Sequence, residues 1–135
     1  MFHYYMFNKP FGCVTARRDT LYPTVMDYFS ELHNDHLNPV GRLDRETTGL
    51  LLITDDGNWN QLLTHPAYHK KKTYLFTVLG DLTEDRRQFL ENGILLKGSP
   101  VPTSPAKITL FKKDTLANIL DTLHPEVQNA VRTNL

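Results

Sequence analysis

The run Leu50-Leu51-Leu52-Ile53-Thr54 does most to limit what this chain can fold into. It is too short for a buried helix and too apolar for a surface loop, and the turn signal Asp56-Gly57 closes it, so it predicts a buried β-strand. Just before it, Gly41-Arg42-Leu43-Asp44-Arg45-Glu46 crowds charges of both signs together, and the strand that follows gives them a rigid neighbour. From the residues alone, Asp44 is either one member of a surface ion pair or a carboxylate held ready for chemistry.

The flanking segments supply the rest of a mixed fold. Residues 2–8 are aromatic and apolar almost without a break, which predicts a strand covered on both faces. Lys9-Pro10-Phe11-Gly12 interrupts it, and a short strand is expected over 12–15. Thr24 is placed to cap an amphipathic helix carrying Val25, Met26, Tyr28, Phe29 and Leu32 and ending near Leu32. Pro39 restarts an extended path, and Asn58 is the expected cap of a short helix through Trp59, Leu62 and Leu63 that stops at Pro66.

Residues 73–79 alternate as a strand with Tyr74, Phe76 and Val78 on one face. Thr83 caps a helix whose buried positions are expected at Phe89 and Leu90, and Asn92-Gly93 ends it. Residues 94–96 and 106–111 read as strands on either side of a proline-rich loop. Leu116, Ile119, Leu120 and Leu123 form a helical stripe that Val127 and Val131 repeat after Pro125. Without a regular βαβ period, this order predicts one α+β domain over residues 1–135, a mostly antiparallel sheet flanked by helices.

Composition narrows the function. Fifteen basic residues balance fifteen acidic ones, so any nucleic-acid surface must be local, and Lys9, Arg17, Arg18, Arg45, Lys70, Lys71 and Lys72 are the cations available for it. Cys13 is the single cysteine and reads as a small packed residue. The pairs His33 with His36 and His65 with His69 lack a converging third ligand, so no metal site is expected. No apolar run approaches the roughly 18 residues of a membrane span, and a cytoplasmic protein is expected. Asp55 and Asp56 are assigned to turn formation and Trp59 to the core.

Taken together, Gly41-Arg42-Leu43-Asp44, Thr48-Gly49-Leu50-Leu51-Leu52 and Thr54-Asp55-Asp56-Gly57 closely resemble the hallmark motif of the RsuA-like rRNA pseudouridine synthases. Asn8-Lys9-Pro10-Phe11-Gly12 resembles that family's first motif, and His65-Pro66 with Lys72-Thr73-Tyr74 resembles the segment bearing its active-site tyrosine. The resemblance runs from about residue 4 to about residue 111. It implies an isomerase that turns uridine in ribosomal RNA into pseudouridine without metal or cofactor. Asp44 is then the catalytic aspartate, attacking C1′ or taking a proton from C2′, and Tyr74 stacks on the base and assists proton removal at C5. Arg42 fills the gap left by the flipped uridine, and Lys9, Arg45 and Lys72 contact RNA.

The family pattern also includes a small RNA-binding domain ahead of the first motif and a closing segment Glu-Gly-x-x-His-Gln-Val-(Lys/Arg)-Arg-Met, and neither is found in residues 1–135. The expectation is therefore a partial catalytic domain with an incomplete sheet edge open to self-association. Two readings stand: an rRNA pseudouridine synthase, with small-subunit rRNA favoured as substrate, or a catalytically inert remnant that retains RNA or protein binding.

Overall fold

The computed structural model describes residues 1–78, 80–110 and 116–133, the side chain of Leu116 excepted. Leu79, Phe111 and Asn134, which fall within the expected strands and terminal helical segment, lie outside that set. The chain forms two compact units, Met1–Tyr74 and Leu75–Leu135.

The first unit is built on a three-stranded antiparallel sheet in the order β1-β3-β2, with β1 at Tyr4–Lys9, β2 at Asn38–Val40 and β3 at Gly49–Thr54. The apolar run thus becomes the central strand, paired on both sides: Met6 lies opposite Leu52, Lys9 opposite Gly49, and Val40 also opposite Leu52. Leu51 and Ile53 point into the core with Cys13, Val25 and Leu37, and Tyr5, Phe7, Met26, Phe29 and Leu43 pack around them. Full burial of a side chain such as Ile53 stabilises the fold by about 1.5–3 kcal/mol.

β1 is not covered on both faces. Tyr5 and Phe7 turn inward while Tyr4 and Met6 are exposed, because an edge strand of a two-layer unit has only one face to bury. Leu50 on the central strand β3 is also exposed, on the same face of the sheet as Met6.

The layer over the inner face is a 3-10 helix, Val25–Leu32. Thr24 caps it as expected, in a capping box: its amide donates to Asp27 Oδ2 at 2.7 Å and its hydroxyl accepts from the Asp27 amide at 3.3 Å. Phe29 packs on Tyr5 and Phe7, with ring centroids 5.6 and 5.4 Å apart. His33 in the left-handed region ends the helix. The strand expected over 12–15 reduces to one parallel bridge between Val14 and Thr24.

α1 spans Gly57–Thr64, and its cap is Asp56 rather than Asn58. Asp56 Oδ1 accepts from the Trp59 amide at 3.0 Å, which places the helix start two residues earlier than the sequence suggested. Trp59 is half-buried, edge-on to Tyr4 at 5.1 Å, instead of sitting in the core.

In the second unit, α2 spans Glu84–Glu91 with Thr83 as its cap, and α3 and α4 span Leu116–Leu120 and Pro125–Thr133. Phe89 and Leu90 are exposed, contrary to expectation. None of the strands expected within 73–79, 94–96 and 106–111 forms a ladder among the described residues. Their backbone groups are engaged elsewhere: the Ala106 amide donates to Glu91 O, the Ile108 amide to the Glu91 carboxylate, and the Ile94 amide to Thr103 Oγ1. At Gly93 the chain passes so close that an added Cβ would lie 2.3 Å from Thr103 O, and its φ of +94° suits glycine alone. Among the described residues no helix is long and apolar enough to cross a membrane.

Candidate active site

Asp44 lies on the loop between β2 and β3, and both of its neighbours are clamped. Gly41 turns the chain out of β2 with φ +81°, a backbone angle that a side chain would strain. Leu43 packs against the core and forms a reciprocal pair with Thr15: the Thr15 hydroxyl donates to Leu43 O at 2.7 Å and accepts from the Leu43 amide at 3.1 Å. On the other side, Arg45 O accepts from the Gly12 amide at 2.9 Å. The Thr47 amide donates to Asp44 O at 3.1 Å and closes the turn.

Lys9 completes the clamp. Its side chain is fully buried, and its ammonium donates to Thr47 O at 2.8 Å, Pro10 O at 3.1 Å and Arg45 O at 3.2 Å. A buried cation is tolerated only when its donors are matched, and three backbone carbonyls match the three donors of an ammonium. This corrects the expectation that Lys9 contacts RNA: a side chain with no exposed surface and all its donors engaged holds the loop and cannot reach a phosphate.

The Asp44 side chain itself is exposed and makes no hydrogen bond or ion pair among the described residues. Fixed backbone with a free carboxylate suits a group that must meet a substrate atom in a set geometry.

Arg45, next along, is stacked back onto the protein. Its guanidinium sits 4.9 Å from the Tyr22 ring centroid and 5.6 Å from that of Phe11, and its Nε lies 2.8 Å from Glu46 Oε1. Tyr22 is presented by a turn in which the Asp19 carboxylate accepts from the Leu21 and Tyr22 amides, bonds that lower the Asp19 pKa. Arg42 projects into solvent with no side-chain partner among the described residues. Lys70, Lys71 and Lys72 are exposed. Tyr74 closes the first unit 56% exposed, off any strand, and makes no hydrogen bond or ring contact among the described residues. The structure therefore gathers Lys9, Thr15, Arg42, Asp44 and Arg45 on or against one loop, and among the described residues no hydrogen bond or ring contact joins Tyr74 to them.

Asp55 and Asp56 serve structure, as the turn assignment expected. Asp55 accepts from the His3 amide and the His3 ring, each at 2.7 Å, and from Asn34 Nδ2 at 2.8 Å. The His3 amide, then the His3 ring, hold the Asp55 carboxyl well below the usual carboxylate range despite its partial burial. Asp56 is lowered first by the Trp59 amide and then by the Tyr4 hydroxyl, which donates to it at 2.7 Å. Among the described residues no group of three or more His, Cys, Asp or Glu could hold a metal ion.

The sequence reading missed Thr15 and Tyr22 as supports of the loop. Nothing in the pattern around Thr15 marks it, because its bond to Leu43 spans 28 positions. Lys9 did carry a signal, since a lysine closing an apolar strand before Pro10 sits where solvent is scarce.

The profile of the RNA pseudouridylate synthase family matches residues 3–122. Ribosomal small subunit pseudouridine synthase A of Haemophilus influenzae is 44% identical over 108 residues, which are 80% of this chain and 47% of that protein. The Escherichia coli protein of the same name is 40% identical with the same coverage. A crystal structure of a pseudouridylate synthase superposes with a TM-score of 0.75 at 42% identity, covering 83% of this chain and 48% of that one. The chain spans about half the length of the curated relatives it matches. With an α+β unit whose central strand leads out of a clamped, aspartate-bearing loop, and a profile match over most of its length, this chain belongs to the RNA pseudouridylate synthase family.

Proposed function

We propose that this chain supplies the catalytic aspartate loop of an rRNA pseudouridine synthase, with Asp44 as its catalytic residue and small-subunit rRNA as its substrate. The observation that carries the reading is the loop clamp: Lys9, Gly12 and Thr15 fix the backbone on both sides of Asp44 while its carboxylate stays open to a ligand. The names of the relatives support the choice of RNA.

The isomerisation breaks the N1–C1′ bond of uridine and joins C5 to C1′. Asp44 either bonds to C1′ as uracil leaves or removes the C2′ proton to leave a glycal, and both routes end with the C5 proton lost and a proton gained at N1. No oxidant or reductant is consumed. A uridine reaches such a loop only after it is flipped from its stack, at a cost of a few kcal/mol. The planar guanidinium of Arg42, unpaired among the described residues and two positions before Asp44 in the chain, is suited to occupy the vacated space.

In this reading Tyr74 stacks on the base and takes the C5 proton, and Arg45 and Lys72 contact phosphates. An rRNA substrate goes with residence in the cytoplasm. The free edge of β1, with Tyr4 and Met6 exposed, is the surface through which a second copy would pair, and a sedimentation coefficient that stays monomeric up to high concentration excludes that pairing.

The substrate is tested by incubating the protein with purified small and large rRNA side by side and mapping new pseudouridine in each. Product in the small-subunit RNA alone is expected, and product only in the large-subunit RNA overturns the assignment.

A further inference from the structure

A concave surface next to the Asp44 loop shares only Arg42 with the reaction as proposed. It is a shallow depression of about 590 Å³ bounded by Thr15, Arg17, Asn38, Arg42, Asn60 and Thr64. None of its lining residues is an Asp or Glu, although acidic and basic residues balance over the whole chain. Thr15, which bonds Leu43, forms part of its wall, so the depression and the aspartate loop share a support.

Arg17 is the residue that gives this surface its character. Its Nη2 donates to the backbone carbonyl of Asp35 and its Nη1 to Asn38 Oδ1 at 3.4 Å. Asn38 is itself oriented by donating its Nδ2 to His36 O at 2.7 Å, which turns its oxygen toward the arginine. Both acceptors are neutral, so they aim the guanidinium without cancelling its charge, and among the described residues only two of its five N–H donors are used. Asp27 and Asp35 line the neighbouring depression together with Arg17 and Arg18, yet Arg17 forms no ion pair among the described residues.

Arg42 also lines the depression and adds positive charge to it, and Asn60 and Thr64 on α1 supply a neutral polar wall. Asn60 is fixed by donating its Nδ2 to Pro39 O at 3.0 Å.

We infer that this depression is a phosphate subsite, in which Arg17 holds a backbone phosphate of the RNA strand that flanks the uridine presented to Asp44, with Arg42 adding positive charge at its rim. Guanidinium forks match phosphate oxygens in a bidentate manner, and a surface with positive charge and no carboxylate attracts the polyanion. An open depression fits a strand that crosses it, whereas a base or a small metabolite calls for an enclosed apolar pocket. The inference rests on the reading that the chain acts on RNA, and it adds Arg17, anchored from the loop before β2, as an RNA-contacting residue.

The test is equilibrium binding of a short unstructured single-stranded oligoribonucleotide to the intact chain over a range of KCl concentrations. Arg17→Gln should reduce the slope of log affinity against log salt by about 0.7, the share of one phosphate contact on a single strand. Arg18→Gln, on the neighbouring depression, should leave the slope unchanged. Thr64→Glu keeps both arginines and puts a carboxylate at the wall, and it should weaken binding severalfold.

A folded Arg17→Gln with the wild-type slope overturns the inference, as does an Arg18→Gln that lowers the slope equally. If Arg17→Gln does not fold, unchanged affinity in Thr64→Glu overturns it. Pseudouridine formation by the unaltered chain is scored separately. Product with an unaffected Arg17→Gln slope sinks the subsite alone, whereas a reduced slope without product in any rRNA sinks the enzymatic reading and leaves the subsite standing.

Discussion

Replacing Lys9 by methionine keeps most of the side-chain volume and deletes the ammonium, so it isolates what the clamp does. Arg45 O keeps the Gly12 amide at 2.9 Å, but Thr47 O loses its 2.8 Å contact and Pro10 O its 3.1 Å one. A hydrogen bond from a charged donor is worth about 1.5–3 kcal/mol, and a buried carbonyl left short costs about 1–3 kcal/mol. Against this, methionine no longer has to bury a charge, which returns part of the loss. The net expectation is a destabilisation of about 2 kcal/mol, or a fall in Tm of about 8 °C for a chain of this size.

The functional effect should be larger than the stability effect suggests. A displacement of about 1 Å at a reacting group costs on the order of a hundredfold in rate, so kcat should drop sharply with KM little changed. Thermal melts followed by circular dichroism and pseudouridine formation at a temperature where the variant is fully folded check both parts. A variant that melts and reacts like the parent refutes the reasoning, because the buried ammonium would then not be holding the loop.

Thr15→Val removes the reciprocal pair to Leu43 at nearly constant shape, and a loss of about 1–2 kcal/mol is expected in urea unfolding, with recovery in Thr15→Ser. Ile53→Ala empties the centre of β3 and should cost about 2–5 kcal/mol, measured in the same way. Asp55 has a folded pKa below its unfolded value of 3.8, so the stability it contributes is complete above that value and is lost as pH falls toward the folded one. Melts of the parent should therefore decline on acidification below about pH 4, and Asp55→Asn should be less stable at neutral pH with a shallower acid decline. Equal acid profiles for the two proteins exclude that role.

The sequence spoke clearly where local chemistry decided the structure. The apolar run became β3, Thr24 and Thr83 capped the helices assigned to them, and Cys13 packed in the core. It spoke poorly where a partner decided. Residues 73–78 and 106–110, the described parts of two expected strands, have strand-like composition, but composition reports fit to a pleated surface and says nothing of whether a ladder is on offer. At Ala106 and Ile108 the backbone amides go to the end of α2 and the Glu91 carboxylate.

The same limit governed the site. The motif points to Asp44 and Arg42, which the structure holds on the loop ahead of the buried strand. The long-range pairings of Lys9 with Thr47 and of Thr15 with Leu43 cross 38 and 28 positions and leave no local trace. Lys9 was misread although its place at the end of an apolar strand marked it for burial: a lysine in a motif that resembles RNA-directed chemistry looks like a phosphate ligand until its partners are known.

The central claim is that Asp44 on its clamped loop isomerises uridine, and release of tritium from rRNA transcripts carrying 5-tritiated uridine reads it directly, because the C5 proton must leave when C5 bonds to C1′. The unaltered chain should release tritium with time, and a folded Asp44→Asn variant should release none above the blank. Release by Asp44→Asn at the parental rate, or none from the folded parent on either ribosomal RNA, contradicts the account.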